Sequence, residues 1–243
     1  MLIIGLGHKA RQGKDFGSKM IKEMTVKEVR ILHFADKLYE EVENRERKHA
    51  LIKMRKLGKS KVFNILDRVK YGGDKATAVY ETFEAEEVPF LEKYFAENNI
   101  TEYWGMDEKD SKMLQFWGTD YRRKYHGDNY WVDRLKERIE NLKKIKFEGI
   151  VLIPDTRFKN EVGYVYGEGG LYIDVVCVLP DGKQYLAPDR DPKHRSETEL
   201  DGQQCDYRII AQKGDIAGLR GSIIHFLKHY DIEMKNSTGM VEK

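Results

Sequence analysis

A short basic run that contains glycine follows the first apolar segment, and its residue types suit phosphate binding. The run GLGHKARQGKDFGSKM places the pair Gly13-Lys14 directly before a predicted helix. The amides of a tight turn and a helix N-terminus attract a phosphate group, and one lysine can bridge its outer oxygens. The pattern G-x-x-x-x-G-K-[ST] is met only in part, because His8 occupies the first glycine position and Asp15 the Ser/Thr position.

Two further cations, Lys9 and Arg11, lie inside the same run. A turn that only joins a strand to a helix does not need them, although a basic turn of that kind is the alternative to a phosphate loop. The predicted strand before the run and the predicted helix after it favour the phosphate loop. The sequence therefore predicts that this run surrounds the phosphates of a nucleotide.

An acidic residue follows a later apolar segment. In GIVLIPDTR, Asp155 comes directly after a predicted buried strand, and Arg157 follows two positions later. Ligands of open α/β sheets gather at the carboxyl ends of the strands, where a carboxylate can hold Mg²⁺ and an arginine can face the same crevice. A helix cap formed by Asp155 or Thr156 is the alternative. Combined with a phosphate loop, the pattern favours a functional role.

A third cluster of charges lies in the polar stretch LAPDRDPKHRSETEL, where Arg190, Lys193, His194 and Arg195 fall within six positions. Arginines on a closing loop stabilise the charge of a transferred phosphoryl group, and closure excludes water. The acidic residues between them are typical of a solvated surface loop, which is the alternative. We predict a lid at about residues 180–200, in which Arg190 and Arg195 bind phosphate.

Alternating strands and helices must position these clusters. Short apolar runs predict strands at residues 2–6, 29–34, 149–153, 171–179 and 207–211. Helical spacing predicts helices at residues 15–24, 111–124, 130–144, 158–166 and 216–230. The alternation predicts an α/β fold with three layers around a central parallel sheet. We expect one domain over 1–234, with a substrate-binding insertion at about 36–130, and a polar tail at 235–243.

Composition limits the class of protein. The chain has 243 residues and a net charge of +2, from 43 Lys+Arg and 41 Asp+Glu. A protein that coats a nucleic-acid backbone usually has a larger basic excess, whereas a small anionic ligand needs only local cations. No run approaches the ~18 apolar residues of a membrane span, and the start does not resemble a signal peptide. Cys177 and Cys205, the two cysteines, are typical of a reducing cytosol, so we expect a cytoplasmic protein.

Several segments, taken in order, resemble the bacteriophage deoxynucleoside monophosphate kinases, a family of P-loop kinases. The loop HKARQGKD is similar to that family's phosphate loop, which ends in GKD, and FADKLYEEV resembles the segment after its second strand. LQFWGTDYRR and DNYWV resemble its GTD and YWV runs, IPDTRFKNE its PDTR run, and HRSETEL its lid element H-x-[ST]-E. The matches run from residue 1 to about 230, except for 45–107, and His8 departs from the glycine usual in the family.

The resemblance implies a three-layer P-loop kinase fold and an enzyme that uses ATP and Mg²⁺ to phosphorylate a deoxynucleoside 5′-monophosphate. It implies that the ATP phosphates are bound by Lys9, Arg11, Gly13, Lys14 and Asp15. It implies that the acceptor nucleotide is surrounded by Lys37, Gly118, Thr119, Asp120, Trp131, Asp155, Arg157, Glu161, His194 and Glu197. The catalytic residues would be Lys14, Arg11, Asp155 and Arg157. Asp15 and Asp155 would bind Mg²⁺. The helical spacing of Trp131 also suits a buried core position.

Other functions fit the same motifs. One alternative is a P-loop kinase with a different acceptor, such as a modified nucleotide, a hydroxymethyl base in DNA or another small metabolite. Another is a nucleotide-binding module without transfer activity. Members of the resembling family are often dimeric, which leaves a homodimer open, although the sequence carries no interface signal.

Overall fold

The computed structural model describes residues 1–41 and 114–235 of the chain. The chain divides into two compact units, one formed by residues 1–36 and 122–243 and the other by residues 37–121. The first unit contains a five-stranded parallel sheet with helices, so the predicted α/β class with a central parallel sheet is confirmed. The predictions for residues 42–113 and for all but the first residue of the polar tail lie outside the described residues.

Five apolar segments form the sheet. They are β1 (Leu2–Gly7), β2 (Val29–Ile31), β3 (Ile150–Ile153), β4 (Leu171–Val178) and β5 (Tyr207–Gln212). The strands lie in the order β2–β3–β1–β4–β5, and every neighbouring pair is parallel. β1 is central, with Ile4 opposite Leu152 of β3 and Leu171 of β4. The three inner strands β3, β1 and β4 are strongly apolar because helices cover a parallel sheet on both faces.

Besides the three-residue helix Lys124–His126, the structure describes five α-helices in the same unit as the sheet. They are α1 (Lys14–Met24), α2 (Tyr130–Lys144), α3 (Lys159–Gly167), α4 (Arg195–Thr198) and α5 (Ile216–His229). Helices α1 and α5 pack together over a core that includes Ile4, Ile173 and Phe226. Helix α3 packs on β1 and β4, where Val162 contacts Tyr172. Adjacent residues of a strand face opposite sides of the sheet. Ile173 packs in the core under α1 and α5, and its neighbour Tyr172 packs against α3, so these two groups of helices lie on opposite faces of the sheet.

The order of the strands creates a crevice at one edge of the sheet. The chain moves from β1 to β2 in one direction along the sheet, and from β3 to β4 in the opposite direction. Such a reversal opens a cleft outside the carboxyl ends of the neighbouring strands β1 and β3. The residues that follow β1 and β3 are therefore brought together.

Two predicted elements differ from the structure. The second strand was expected to reach residue 34 but ends at Ile31, because the chain turns there and the amides of Phe34 and Ala35 donate to the Asp155 carboxylate. The helix expected at 111–124 is, in its described part, mainly a π-helix over Phe116–Arg123. None of the described helices combines the length and the hydropathy that a membrane-spanning helix needs.

Candidate functional site

The loop after β1 leads directly into α1. Gly13 precedes the helix with a φ of 88°, in the left-handed region that favours glycine. Lys14 is the first residue of α1, and Asp15 lies in its first turn. The first turn of a helix carries amides and a partial positive charge that suit an anion. The local geometry therefore has the parts that the phosphate-loop prediction requires.

Lys14 lies among the charged groups that follow β3. Its side chain is buried, with 5% of the residue exposed, and its ammonium donates to the carbonyl of Lys9. Burial and the nearby Arg157 lower the pKa of Lys14 to about 7, against the opposing effects of Glu197, Asp15 and Asp155. Lys14, Asp155 and Arg157 are thus close enough to act on one another electrostatically, as a shared site requires.

Asp155 stands at the end of β3 and joins two strand ends. Its carboxylate accepts hydrogen bonds from the backbone amides of Phe34, at 3.0 Å, and Ala35, at 2.8 Å. Burial raises the pKa of Asp155, although His33, these amides and Arg157 oppose the rise. The helix-cap alternative for Asp155 is not what these contacts show, since the carboxylate caps the turn after β2 instead.

His33 is a residue of this cluster that sequence analysis missed. Its Nε2 lies 3.5 Å from Asp15 Oδ1, and its Nδ1 lies 3.2 Å from Asp36 Oδ1. Burial disfavours the charged imidazole, but hydrogen bonds with Asp15 and Asp36 outweigh it and raise the pKa of His33 to about 10. A polar residue at the carboxyl end of a predicted parallel strand was the signal that could have identified it.

Arg157 and Glu161 are held by ion pairs, one partly buried and the other buried. Arg157 Nη1 donates to Glu197 Oε1 at 2.6 Å, and its backbone amide donates to Glu161 Oε2 at 2.7 Å. Glu161 also pairs with Arg123, and both side chains are only 2% exposed. Glu161 was predicted to bind the acceptor, and in the structure its two oxygens are engaged by the protein.

Residues of the turn from Glu197 to Asp201 contact residues 8–10, the first half of the predicted phosphate loop. His8 is buried with its Nε2 3.1 Å from Asp201 Oδ1 and its Nδ1 3.4 Å from Asp174 Oδ1. Lys9 Nζ donates to Asp201 Oδ1 at 2.5 Å and to the Glu197 carbonyl at 2.6 Å. Lys9, which was predicted to bind ATP phosphates, is thus engaged within the protein. Asp201 and Asp174 were not identified from the sequence.

The other residues of the predicted lid are spread over several contacts. Asp189 accepts hydrogen bonds from Arg11, with Arg11 Nε 2.8 Å from Asp189 Oδ1. Arg195 pairs with Asp128, at 2.7 Å, and with Glu199. His194 caps α4 through Ser196, and the backbone amide of Arg190 donates to the Ala187 carbonyl. Of the two predicted phosphate-binding arginines, Arg195 is therefore held by acids at the protein surface.

A pocket of about 210 Å³ adjoins the second half of the phosphate loop. Arg11, Gln12 and Gly13 form one wall, and residues 211–216 at the end of β5 and the start of α5 form another. Phe16 and Ile216, both exposed, contribute apolar surface to it. A pocket with apolar lining beside the predicted phosphate loop is the kind of concave site that small ligands use.

Four of the predicted acceptor residues belong to the second unit. Lys37 pairs with Glu40 at 2.5 Å, and Gly118, Thr119 and Asp120 lie in the π-helix. A Cβ at Gly118 would lie 2.8 Å from Leu38 Cδ2, so a larger residue there would require the Leu38 side chain to shift. In the first unit, Trp131 is 3% exposed on the buried face of α2, as its helical spacing suggested.

The structure thus joins Lys14, Asp155 and Arg157 in one cluster and attaches Glu197 to it. No protein-family model and no curated protein matches this chain. The family suggested by the sequence motifs therefore stays a prediction, and the chemistry of the cluster has to come from its own residues.

The acids near the loop suit a metal ion that is bound partly by substrate phosphates and water, and not by protein side chains alone. Among the residues that the structure describes, no group of three or more His, Cys, Asp or Glu side chains is placed to hold a metal ion. Mg²⁺ at kinase sites is bound by one or two carboxylates together with substrate phosphates and waters. Asp15, whose side chain is 81% exposed in the first turn of α1, fits such a role. Asp155 already accepts two amide hydrogen bonds and has only its remaining lone pairs to offer.

If the loop before α1 binds a nucleotide, as the sequence predicts, the low pKa of Lys14 leads to proton uptake on binding. A lysine with a pKa of about 7 is largely neutral at pH 8 in the free protein, and a bound triphosphate favours the ammonium. ATP binding at pH 8 should then take up about one proton, and affinity should fall as the pH rises above 7. Isothermal titration calorimetry in buffers of different ionisation enthalpy measures this uptake. Lys14→Arg, which stays charged, should take up none; equal uptake by both proteins would contradict the assignment.

Proposed function

We propose that this chain is a P-loop phosphotransferase that moves the γ-phosphate of ATP onto a small nucleotide, with a deoxynucleoside monophosphate as the favoured acceptor. One observation carries the proposal: the segment of Asp155 and Arg157 beyond β3 meets the loop that ends at the buried Lys14. The Thr156 amide donates to the Leu6 carbonyl at 3.3 Å, and both Arg157 and the Ala10 amide donate to Glu197. A lysine after a glycine turn and an acid and an arginine across a crevice are the parts that phosphoryl transfer needs.

The donor side is supported by the second half of the phosphate loop. The amides at the start of α1, Lys14 and the exposed Arg11 would bind the triphosphate. The pocket that begins at Arg11 and Gly13 would take the base of the nucleotide, with Phe16 and Ile216 against its faces. Asp189 would release Arg11 when phosphate binds, because the pair is exposed and weak.

The acceptor side is supported by the residues after β3. Arg157 would neutralise charge on the transferred phosphoryl group or on the acceptor's phosphate. Asp155 would hold the turn that carries His33 and, through its remaining lone pairs, water around Mg²⁺. The acceptor's phosphate oxygen attacks the γ-phosphate in line, the bond to the β-phosphate oxygen breaks, and ADP leaves. No protein nucleophile is required, since positioning and charge neutralisation supply the catalysis.

The test is an acceptor panel. The purified protein is incubated with ATP, Mg²⁺ and each deoxynucleoside or ribonucleoside monophosphate in turn, and ADP and the diphosphate product are quantified. We expect one acceptor to raise ADP formation on the order of 10²-fold over the rate without acceptor. The Lys14→Met protein, purified in the same way, controls for contaminating kinases.

The panel also separates the alternatives. ATP binding without ADP formation from any monophosphate would contradict the favoured acceptor. In that case, transfer to a hydroxymethylated base or another phosphate acceptor would keep the kinase, and no transfer at all would favour a binding module.

A further inference from the structure

Glu197 connects three separate parts of the site through its buried side chain and its backbone carbonyl. Only 4% of the residue is exposed. Its Oε2 accepts the backbone amide of Ala10 at 2.8 Å, and its Oε1 accepts Arg157 Nη1 at 2.6 Å. Its carbonyl oxygen accepts Lys9 Nζ at 2.6 Å. The loop after β1, the segment after β3 and the short helix α4 therefore meet at Glu197.

These contacts leave little of the carboxylate for a ligand. Each oxygen already accepts a charge-assisted or buried hydrogen bond, and such bonds are short and strong. The Ala10 amide, which would otherwise offer itself to an anion, is directed at Glu197. A triphosphate would then bind further along the loop, from Arg11 to the first turn of α1.

We propose that Glu197 is a positioning residue of the transfer site and not a ligand of the acceptor nucleotide. This inference rests on the proposed function. Glu197 fixes the guanidinium of Arg157, and it holds the loop after β1 through its contacts with Ala10 and Lys9. Catalysis by charged groups depends on such placement, because small displacements of a group lower the rate steeply.

Glu199, the residue that follows α4, provides a matched control. Glu199 also accepts a backbone amide, that of Lys159 at 2.9 Å, and also binds an arginine, Arg195. Its side chain is 13% exposed. A Glu199→Gln protein therefore loses contacts of the same kinds two residues away, while the Ala10 and Arg157 contacts of Glu197 are retained.

The experiment is a double-mutant cycle in the full-length chain. The kcat, the KM for ATP and the thermal unfolding midpoint are measured for wild type, Glu197→Gln, Arg157→Ala and the double variant, with Glu199→Gln as control. Glutamine cannot accept from both Ala10 and Arg157, since one of its two polar atoms is a donor. We expect Glu197→Gln to lower kcat about 10²-fold and to raise the KM for ATP about 10-fold. In the Arg157→Ala background, kcat should fall less than about 3-fold further, while the rise in KM persists.

Each outcome decides the inference. A wild-type kcat in Glu197→Gln, equal kcat losses in both backgrounds, or an equal loss in Glu199→Gln would overturn the positioning role. If Glu197→Gln does not fold, Glu197→Asp keeps the charge but reaches only one partner, and its kcat should fall between those of wild type and Arg157→Ala. A wild-type protein that transfers no phosphate would overturn the proposed function and this inference together. An active wild-type protein with one of the three kinetic outcomes above would overturn only the positioning role of Glu197.

Discussion

Lys14→Met should lower kcat by about 10³-fold or more and leave the free energy of unfolding unchanged or higher. The activity falls because no other cation at the start of α1 can bridge the transferred phosphate. The stability does not fall because methionine has a similar length, and because burial of the ammonium is already unfavourable enough to bring the pKa of Lys14 down to about 7. Steady-state kinetics and urea unfolding at pH 7.5 measure the two quantities.

Lys19→Met is the matched control for this prediction. Lys19 lies on the same helix, and its side chain is exposed. Its replacement should change neither kcat nor the free energy of unfolding by much. Near-normal turnover in Lys14→Met would remove the phosphate-loop assignment, and a large loss of stability would instead make Lys14 a structural residue.

Glu161→Ala should destabilise the protein by about 3–5 kcal/mol, the largest stability effect expected here. Glu161 is the buried partner of Arg123, whose guanidinium also lies 3.8 Å from the centre of the Phe158 ring. Removal of Glu161 leaves a charge that cannot reach water. It also removes the acceptor for the amides of Arg157 and Phe158 at the start of α3. Urea unfolding followed by circular dichroism gives the free energy.

Two variants test the physical reason for that loss. The pair Arg123→Met and Glu161→Met, made together, should recover part of the stability because no charge is left unpaired. Glu140→Ala removes the exposed partner of Lys143 and should leave the free energy of unfolding nearly unchanged. A Glu161→Ala protein that loses no more stability than Glu140→Ala would contradict the account of a buried pair.

Local patterns were sufficient to predict most of the fold. The apolar runs that became β3 and β4 are buried parallel strands, and the spacing of Trp131, Leu135 and Ile139 predicted α2 with its observed boundaries. Gly13-Lys14 lies where a strand-to-helix turn was expected. The end of β2 was missed, because it is determined by Asp155, which lies more than a hundred positions away in sequence.

The site was less predictable for the same reason. A phosphate loop is a local motif, so spacing alone was enough to predict Lys14 and Arg11 as its members. Lys9 and His8 both pair with Asp201, and Arg157 pairs with Glu197. These contacts depend on the position of α4 beside the residues that follow β1 and β3. No periodic pattern in the sequence predicts that position. His33 was likewise hidden inside a predicted strand and became part of the cluster only through Asp15 and Asp36.

The most direct test of the central claim is a crystal structure with Mg²⁺ and a non-hydrolysable ATP analogue. We expect the triphosphate to lie against the amides from Gly13 into the first turn of α1, with Lys14 on its outer phosphates and Asp155 and Arg157 facing it across the crevice. A nucleotide bound elsewhere, or a triphosphate that contacts neither Lys14 nor the start of α1, would contradict the account.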